Sequence, residues 1–253
     1  IMKKIATTFC LIFGGINFAA SACTGISLFA KDGSYIQGRT IENAQLELPS
    51  YYVIIPQGKE LTSYTPTGKN GISFKVKYGV VGLSVVKEEF IAEGINEAGL
   101  SCGLFFFPNY GSYVTYDEKE NSRSLGDLQV NQWILSQFAT VEEVIKNIDN
   151  VRIIGLDKTA VVHWRIGDKS GRQVVMEIVN GIVHFYENTV GVLTNSPGFE
   201  WHLTNLNNYV NLQPGDAKSQ TLGKDTLSPL GGNSGFLGLP GDATPPSRFV
   251  RAA

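Results

Sequence analysis

The stretch Ala20-Ser21-Ala22-Cys23-Thr24-Gly25-Ile26-Ser27-Leu28 decides how the rest of the chain is read. Left of Cys23 stands a small-residue A-x-A processing pattern, and right of it a segment that reads as a strand. Cleavage between Ala22 and Cys23 would place a thiol and a free α-amine on one residue. An α-amine titrates at roughly 7.7–8.0 and a thiol at about 8.5, so both lie near neutrality. The amine can therefore take the thiol proton and later return it to a leaving amine. A buried cation such as Arg39 would favour the thiolate and disfavour the protonated amine, lowering both values.

The residues before Cys23 read as a secretory signal. Met2-Lys3-Lys4 makes a short positive region, and Ile5 to Ala19 is apolar but broken by Thr7-Thr8, Gly14-Gly15 and Asn17. A membrane-spanning helix needs about 20 apolar residues, more than this interrupted run supplies. The expectation is a leader over 1–22, one domain over 23–253, and export to the periplasm or beyond the cell. Ala-Ser-Ala-Cys also serves, without the usual leucine, as a lipoprotein signal whose cysteine is acylated. Lipoproteins usually place a flexible polar tether after that cysteine, whereas here a strand begins at once. Nucleophile and lipid anchor are both open from these residues.

Composition narrows the classes. The chain has 253 residues, 43% hydrophobic and 17% charged, enough for one large core or two small ones. The formal net charge is −2. Loss of Lys3 and Lys4 with the leader leaves 19 Lys and Arg against 23 Asp and Glu, or −4. With no basic block, a nucleic-acid partner is not expected. No period of 20 to 50 residues recurs, which argues against a solenoid. Of the three cysteines, Cys10 leaves with the leader. A single Cys23–Cys102 bridge stays open, although Cys102 lies in an apolar run and reads as a core thiol. The three histidines, His163, His184 and His202, share no metal-ligand spacing, so neither metal nor cofactor is expected. Without a well-placed His, the α-amine of Cys23 is the better candidate base.

Downstream, strand follows strand. Thr24–Ala30 and Tyr35–Thr40 flank the turn Lys31-Asp32-Gly33, a hairpin that brings Arg39 and Glu42 level with Cys23. Tyr51–Pro56 is followed by a polar loop to Gly71, then Ile72–Tyr78 and Val80–Val86 about a bend at Tyr78-Gly79. Phe90–Ile95 and Leu100–Phe107 are joined by Asn96-Glu97-Ala98-Gly99. Leu104-Phe105-Phe106-Phe107 is apolar on both strand faces, which suits a strand covered on both sides. Helices are expected over Ser124–Phe138 and, from the capping box Thr140-Val141-Glu142-Glu143, to about Ile148. Strands resume at Ala160–Ile166, Gln173–Val179, Ile182–Tyr186 and Val190–Leu193, with an Asn180-Gly181 hairpin turn. Glu200–Leu212 reads as helical, Gln213–Gly241 as a long loop with a role in a site or an assembly contact, and Pro245–Arg251 as a helix start. This order argues for sheets with helices packed outside them.

These motifs together resemble the choloylglycine hydrolases (bile salt hydrolases and penicillin V acylases), members of the N-terminal nucleophile hydrolases. The matching stretches are Cys23-Thr24-Gly25, Gly38-Arg39-Thr40, Gly94-Ile95-Asn96-Glu97-Ala98-Gly99-Leu100 and Gly191-Val192-Leu193-Thr194-Asn195-Ser196-Pro197. Trp201-His202-Leu203-Thr204-Asn205-Leu206-Asn207, Gly238-Leu239-Pro240-Gly241-Asp242 and Thr244-Pro245-Pro246-Ser247-Arg248-Phe249 continue them in family order. The resemblance implies an α+β fold, an αββα four-layer sandwich of two antiparallel sheets, and hydrolysis of a linear amide. It makes Cys23 nucleophile and, through its amine, base. Arg39 falls on the arginine beside the nucleophile, Asn195 on the side-chain oxyanion donor, and Arg248 on a supporting arginine. Two positions depart from the pattern. Glu42 stands where bile salt hydrolases carry Asp. Phe106 stands where they carry Asn and penicillin V acylases often Tyr, and its backbone N–H is the expected oxyanion contribution. Leu104–Phe107 is expected to form an apolar wall fitting a steroid or a phenoxyacetyl group.

The resemblance also implies a longer mature chain. This sequence is expected to stop short of the closing C-terminal elements and, by itself, to fold poorly. Gln213–Gly241 resembles the segment through which the family's tetramers assemble.

Overall fold

The computed structural model describes residues 21–43, 49–156 and 161–253, so nearly all of the expected leader, and Ala160 of one expected strand, lie outside the described residues. In chain order come β1 (Ser21–Phe29), β2 (Tyr35–Asn43), β3 (Ser50–Ile55), β4 (Glu60–Thr62), β5 (Ser73–Lys75), β6 (Val80–Val85), β7 (Ile91–Asn96), β8 (Ser101–Phe106) and β9 (Ser124–Gly126). Helices α1 (Val130–Gln137) and α2 (Val141–Asn147) precede β10 (Arg152–Ile154), β11 (Val162–Gly167), β12 (Gln173–Val179), β13 (Ile182–Glu187) and β14 (Val192–Leu193). Helix α3 (Phe199–Leu206), the hairpin β15 (Gln220–Leu222) and β16 (Asp225–Leu227), and α4 (Pro245–Ala252) complete the order.

Two sheets carry the fold. The larger is antiparallel with order β13-β12-β11-β8-β7-β6-β3, and the smaller has order β14-β1-β2. Period-two alternation divides the central strands between two cores. Cys102, Trp164, Ile166, Val174 and Met176 face α1 and α2, and pack with Trp133, Ile134, Val141 and Val144. Phe105 and Val175 face the other way and join Cys23, Val192, Leu193, Phe199 and Phe249. Helix α4 packs on β1 and β14, and α3 on α4. The layers are those of the expected αββα sandwich.

Local chemistry sets the turns. Asn180 and Gly181 both take positive φ, 52° and 75°, which gives the β12–β13 hairpin the twist its strands need. Thr140 caps α2 by accepting the Glu143 N–H at 3.2 Å, while the Glu143 carboxylate reaches back to the Ala139 N–H at 2.8 Å.

Three expectations change. The helix expected from Ser124 begins at Val130, because Ser124–Gly126 pairs in parallel with β10 and Ser124 O accepts the Ile72 N–H. The segment after Gly71 pairs with β4 rather than across the Tyr78-Gly79 bend, and β6 lies between β3 and β7. The long loop from Gln213 contains the β15–β16 hairpin, whose Leu222 and Leu227 are exposed. Cys23 and Cys102 are both free thiols, since they belong to different cores. Cys102 is the core thiol its apolar run suggests, and donates to Asn131 Oδ1 at 2.9 Å. No helix among the described residues is long and apolar enough to cross a membrane.

Candidate active site

Cys23 lies in β1 between β14 and β2, and only 4% of it is exposed. The β1–β2 register sets Cys23 opposite Ile41, Gly25 opposite Arg39, and Ala22 opposite Glu42. Cross-strand partners share a face, so Arg39 stands on the face that Cys23 occupies.

Asn195 follows β14 by two residues and closes over β1. Its Oδ1 accepts the Cys23 N–H at 3.0 Å, and its Nδ2 donates to Phe106 O at 2.8 Å. Arg248, on α4, ties the same groups together. Its Nη2 donates to Asn195 Oδ1 at 2.7 Å, and its Nη1 to Thr24 Oγ1 at 2.7 Å and to Cys23 O. The motif before Arg248 explains how α4 is aimed. The Asp242 carboxylate accepts the Thr244 N–H at 2.8 Å and the Ser247 hydroxyl at 2.7 Å, and hydrogen bonds from Thr244 and Ser247 hold its pKa at about 2. Pro245 starts the helix, where a missing N–H costs nothing, and Phe249 is buried against Phe199. Burial lowers the Arg248 pKa, and the charges of Cys23 and Glu42 partly offset this. Exposed Glu42 thus reaches the site through its field on Arg248.

Phe106 turns its backbone toward Asn195. Phe107 N–H donates to Val161 O, so by antiparallel alternation the Phe106–Val162 pair is a non-hydrogen-bonded one. The N–H and C=O of Phe106 therefore face away from β11, toward Asn195. Leu104 is oriented likewise, and its carbonyl accepts from Arg39 Nη1 at 2.6 Å. The expected apolar wall is corrected: Leu104 packs into the first core, and Phe105 and Phe107 are buried. Of the four, Leu104 and Phe106 are partly exposed, and Phe106 meets Asn195 through its backbone carbonyl.

The Arg39 guanidinium is not hydrogen-bonded to Cys23. It bonds Leu104 O, Ala92 O and Glu93 Oε2, and lies 4.1 Å from the Phe105 ring centre. Arg165, fully buried, meets Glu93 Oε1 at 3.3 Å and Ile26 O at 3.0 Å, and lies 5.6 Å from the same ring. Two arginines sharing Glu93 thus bracket Phe105 and bind the two sheets together. A Cβ on Gly25 would fall 2.7 Å from Phe105 and 2.8 Å from Arg165 Nη1, which accounts for glycine two residues after Cys23. A groove of about 580 Å³ beside this cluster is lined by Tyr35, Gln37, Tyr52, Val81 and Glu93, and does not touch Cys23 or Asn195.

Sequence reasoning missed a buried polar group behind Asn195. His163 meets Thr194 O through Nε2 at 3.1 Å and Glu177 Oε1 through Nδ1 at 3.0 Å. His202 Nε2 donates to Asn195 O at 2.9 Å, and burial pushes its pKa down to about 4. The sequence signal is the presence of ionisable residues inside largely apolar strands, His163 and Arg165 in β11 and Glu177 in β12. Among the described residues, no three His, Cys, Asp or Glu cluster as metal ligands.

A buried cysteine on an antiparallel sheet, an asparagine amide on its backbone nitrogen and a second sheet behind it define an N-terminal nucleophile hydrolase fold. The family model for linear amide C–N hydrolases, choloylglycine hydrolase family, matches residues 23–253, and the chain belongs to that family. The bile salt hydrolase/transferase of Clostridium perfringens is 34% identical over 238 residues, 91% of this chain and 70% of that protein. The penicillin V acylase of Pectobacterium atrosepticum is 28% identical over 217 residues, 79% of this chain and 50% of that one. A mutant conjugated bile acid hydrolase from C. perfringens superposes with a TM-score of 0.78 at 34% identity, covering 90% of this chain and 70% of that one. The penicillin V acylase of Agrobacterium tumefaciens shares the fold, with a TM-score of 0.66 at 24% identity over 90% of this chain and 63% of that one.

Proposed function

We propose that the exported, processed protein hydrolyses the amide bond of glycine- or taurine-conjugated bile salts with Cys23 as its N-terminal nucleophile. One observation carries this reading: the Cys23 nitrogen, the Asn195 side chain, the Phe106 carbonyl and the Arg248 guanidinium form one connected hydrogen-bond set. Once Ala22 is removed, the nitrogen on Asn195 Oδ1 is an amine that takes the thiol proton. The thiolate adds to the amide carbonyl, and the tetrahedral oxyanion meets the Phe106 N–H and the second N–H of Asn195 Nδ2. An asparagine amide has two donors, and Phe106 O takes one. The amine then protonates the leaving glycine or taurine nitrogen, and water hydrolyses the thioester. Arg248 sets the asparagine and Arg39 the Leu104–Phe105 backbone. The assembly is read as a tetramer joined through Gln213–Gly241.

Cleavage of penicillin V or an acyl-homoserine lactone on the same fold is the second reading, favoured by the aromatic residue at Phe106. A lipid anchor on Cys23 is disfavoured, because an acylated cysteine must reach a bilayer and this one is buried in a strand paired on both sides.

Intact mass of the exported protein and initial rates on glycocholate, taurocholate and penicillin V test the reading. The expected result is an unmodified N-terminal Cys23, faster turnover of a bile salt than of penicillin V, and a Cys23→Ser variant that binds substrate but turns it over far more slowly. A diacylated Cys23, or full activity in that variant, would overturn it.

A further inference from the structure

The loop that carries Asn195 is held from behind by two histidines. Thr194 O and Asn195 O are consecutive carbonyls, and each faces an imidazole Nε2, of His163 at 3.1 Å and of His202 at 2.9 Å. A carbonyl only accepts, so each Nε2 carries a hydrogen. The peptide planes on both sides of the Asn195 Cα are thereby fixed, by rings from different layers: His163 from β11 and His202 from α3.

Glu177 couples the two rings. Its Oε1 meets His163 Nδ1 at 3.0 Å and accepts the N–H of Phe199, the first residue of α3, at 2.9 Å. One carboxylate thus orients one histidine and seats the helix bearing the other, where the helix dipole favours negative charge. Each ring also stacks on the residue after another member of the site. His163 lies on Phe107 at 4.4 Å and 5°, and His202 on Phe249 at 4.6 Å and 7°. His163 and His202 are fully buried, and Glu177 is 2% exposed. Burying three titratable side chains is costly where apolar ones would fill the space, so the positions call for a reason other than packing. His202 Nδ1 is buried without a hydrogen-bond partner among the described residues, so its ring is held through Nε2, which meets Asn195 O and, at 3.5 Å, Thr194 Oγ1, and by stacking.

We infer that His163, Glu177 and His202 are positioning residues that set the backbone of Asn195 and so aim its side-chain amide at the carbonyl of the scissile amide. The inference rests on the reading of Asn195 as an oxyanion donor.

The test compares shape-keeping and donor-keeping variants. His202→Phe and His163→Phe remove the Nε2 donor, whereas His202→Gln and His163→Gln return an amide N–H near the same point. Misplacing a catalytic group by about an ångström costs roughly 100-fold, so the Phe variants should lose kcat on that scale. KM for the conjugated bile salt should stay at the wild-type value, and the Gln variants should recover part of kcat. Unchanged kcat, a KM effect in its place, or Gln variants no better than Phe would overturn the inference. Nitrogen-15 spectra of wild type give a second measurement independent of turnover and of any variant folding. His202 should carry its proton on Nε2 at neutral pH, and the opposite tautomer would overturn the clamp. A wild type inactive on every amide tried would sink the hydrolase reading instead. Movement of the Asn195 side-chain amide resonance in the Phe variants and its return in the Gln variants would still decide the clamp.

Discussion

Arg248 Nη2 lies 2.7 Å from Asn195 Oδ1, although the two residues reach the site from α4 and from the loop after β14. The same guanidinium holds the Thr24 hydroxyl and Cys23 O, so it fixes the amide of Asn195 relative to β1. Hydrogen bonds involving a charged group contribute about 1.5–3 kcal/mol. Arg248→Met should therefore lower kcat on a conjugated bile salt by roughly 10- to 100-fold. Arg248→Lys should recover little, because an ammonium cannot reproduce the planar fork that reaches both partners. Initial rates at saturating substrate check both, and a fully active Lys variant would show that charge alone suffices.

Gly25→Ala is expected to destabilise the fold by about 1–3 kcal/mol, the cost of overpacking a filled core. The added methyl would meet Phe105 and Arg165, neither of which can withdraw, because both are fully buried and Glu93 holds the guanidinium. Denaturant unfolding of wild type and variant measures this directly. A neutral result would mean that the bracket around Phe105 is looser than its contacts imply.

The parts of this site that could be read in the chain are those joined by local rules. Alternation and one glycine turn were enough to bring Arg39 and Glu42 level with Cys23. The same rules misjudged Ser124–Gly126, whose Leu125 suits a helix but whose backbone is held by Ile72 and β10. They also left open where a long side chain points. Arg39 stands on the Cys23 face, yet its guanidinium runs past Phe105 to Glu93, a partner fixed only by the packing of two sheets. Asn195 and Arg248 were reached through motif resemblance, since their partner is 172 and 225 residues away in the chain. An ionisable residue in a largely apolar strand marks His163 and Glu177 but does not say what they touch, because their relation exists only once β11 and β12 are paired.

His202 should make the fold acid-sensitive. Burial lowers its pKa from 6.5 to about 4, only partly offset by its hydrogen bond to Asn195 O. A folded-state value below the unfolded one contributes stability that is present above about pH 6.5 and lost as pH falls through about 4. The shift corresponds to about 3 kcal/mol at most. Unfolding free energies at pH 7 and pH 4 should converge between wild type and His202→Gln as the pH drops. Parallel curves would show that His202 is not desolvated as its surroundings require.

Asp127 has the opposite sign. It is fully buried ahead of α1, with Oδ1 accepting the Leu128 N–H at 2.9 Å and the Leu156 N–H at 3.1 Å. Burial outweighs these two hydrogen bonds and raises its pKa from 3.8 to about 7, and its charge helps to raise that of the buried Tyr113 hydroxyl. A folded-state value above the unfolded one gives a contribution that is complete below about pH 3.8 and lost as pH rises through about 7. That window spans about 4 kcal/mol as an upper bound. Asp127→Asn keeps an oxygen for the two amides and carries no charge at any pH. The variant should therefore match wild type below about pH 4 and exceed it in unfolding free energy above about pH 7. Denaturant titrations at pH 4, 6 and 8 test this, and a variant less stable than wild type at pH 8 would mean that the carboxylate has a charge partner that offsets its burial.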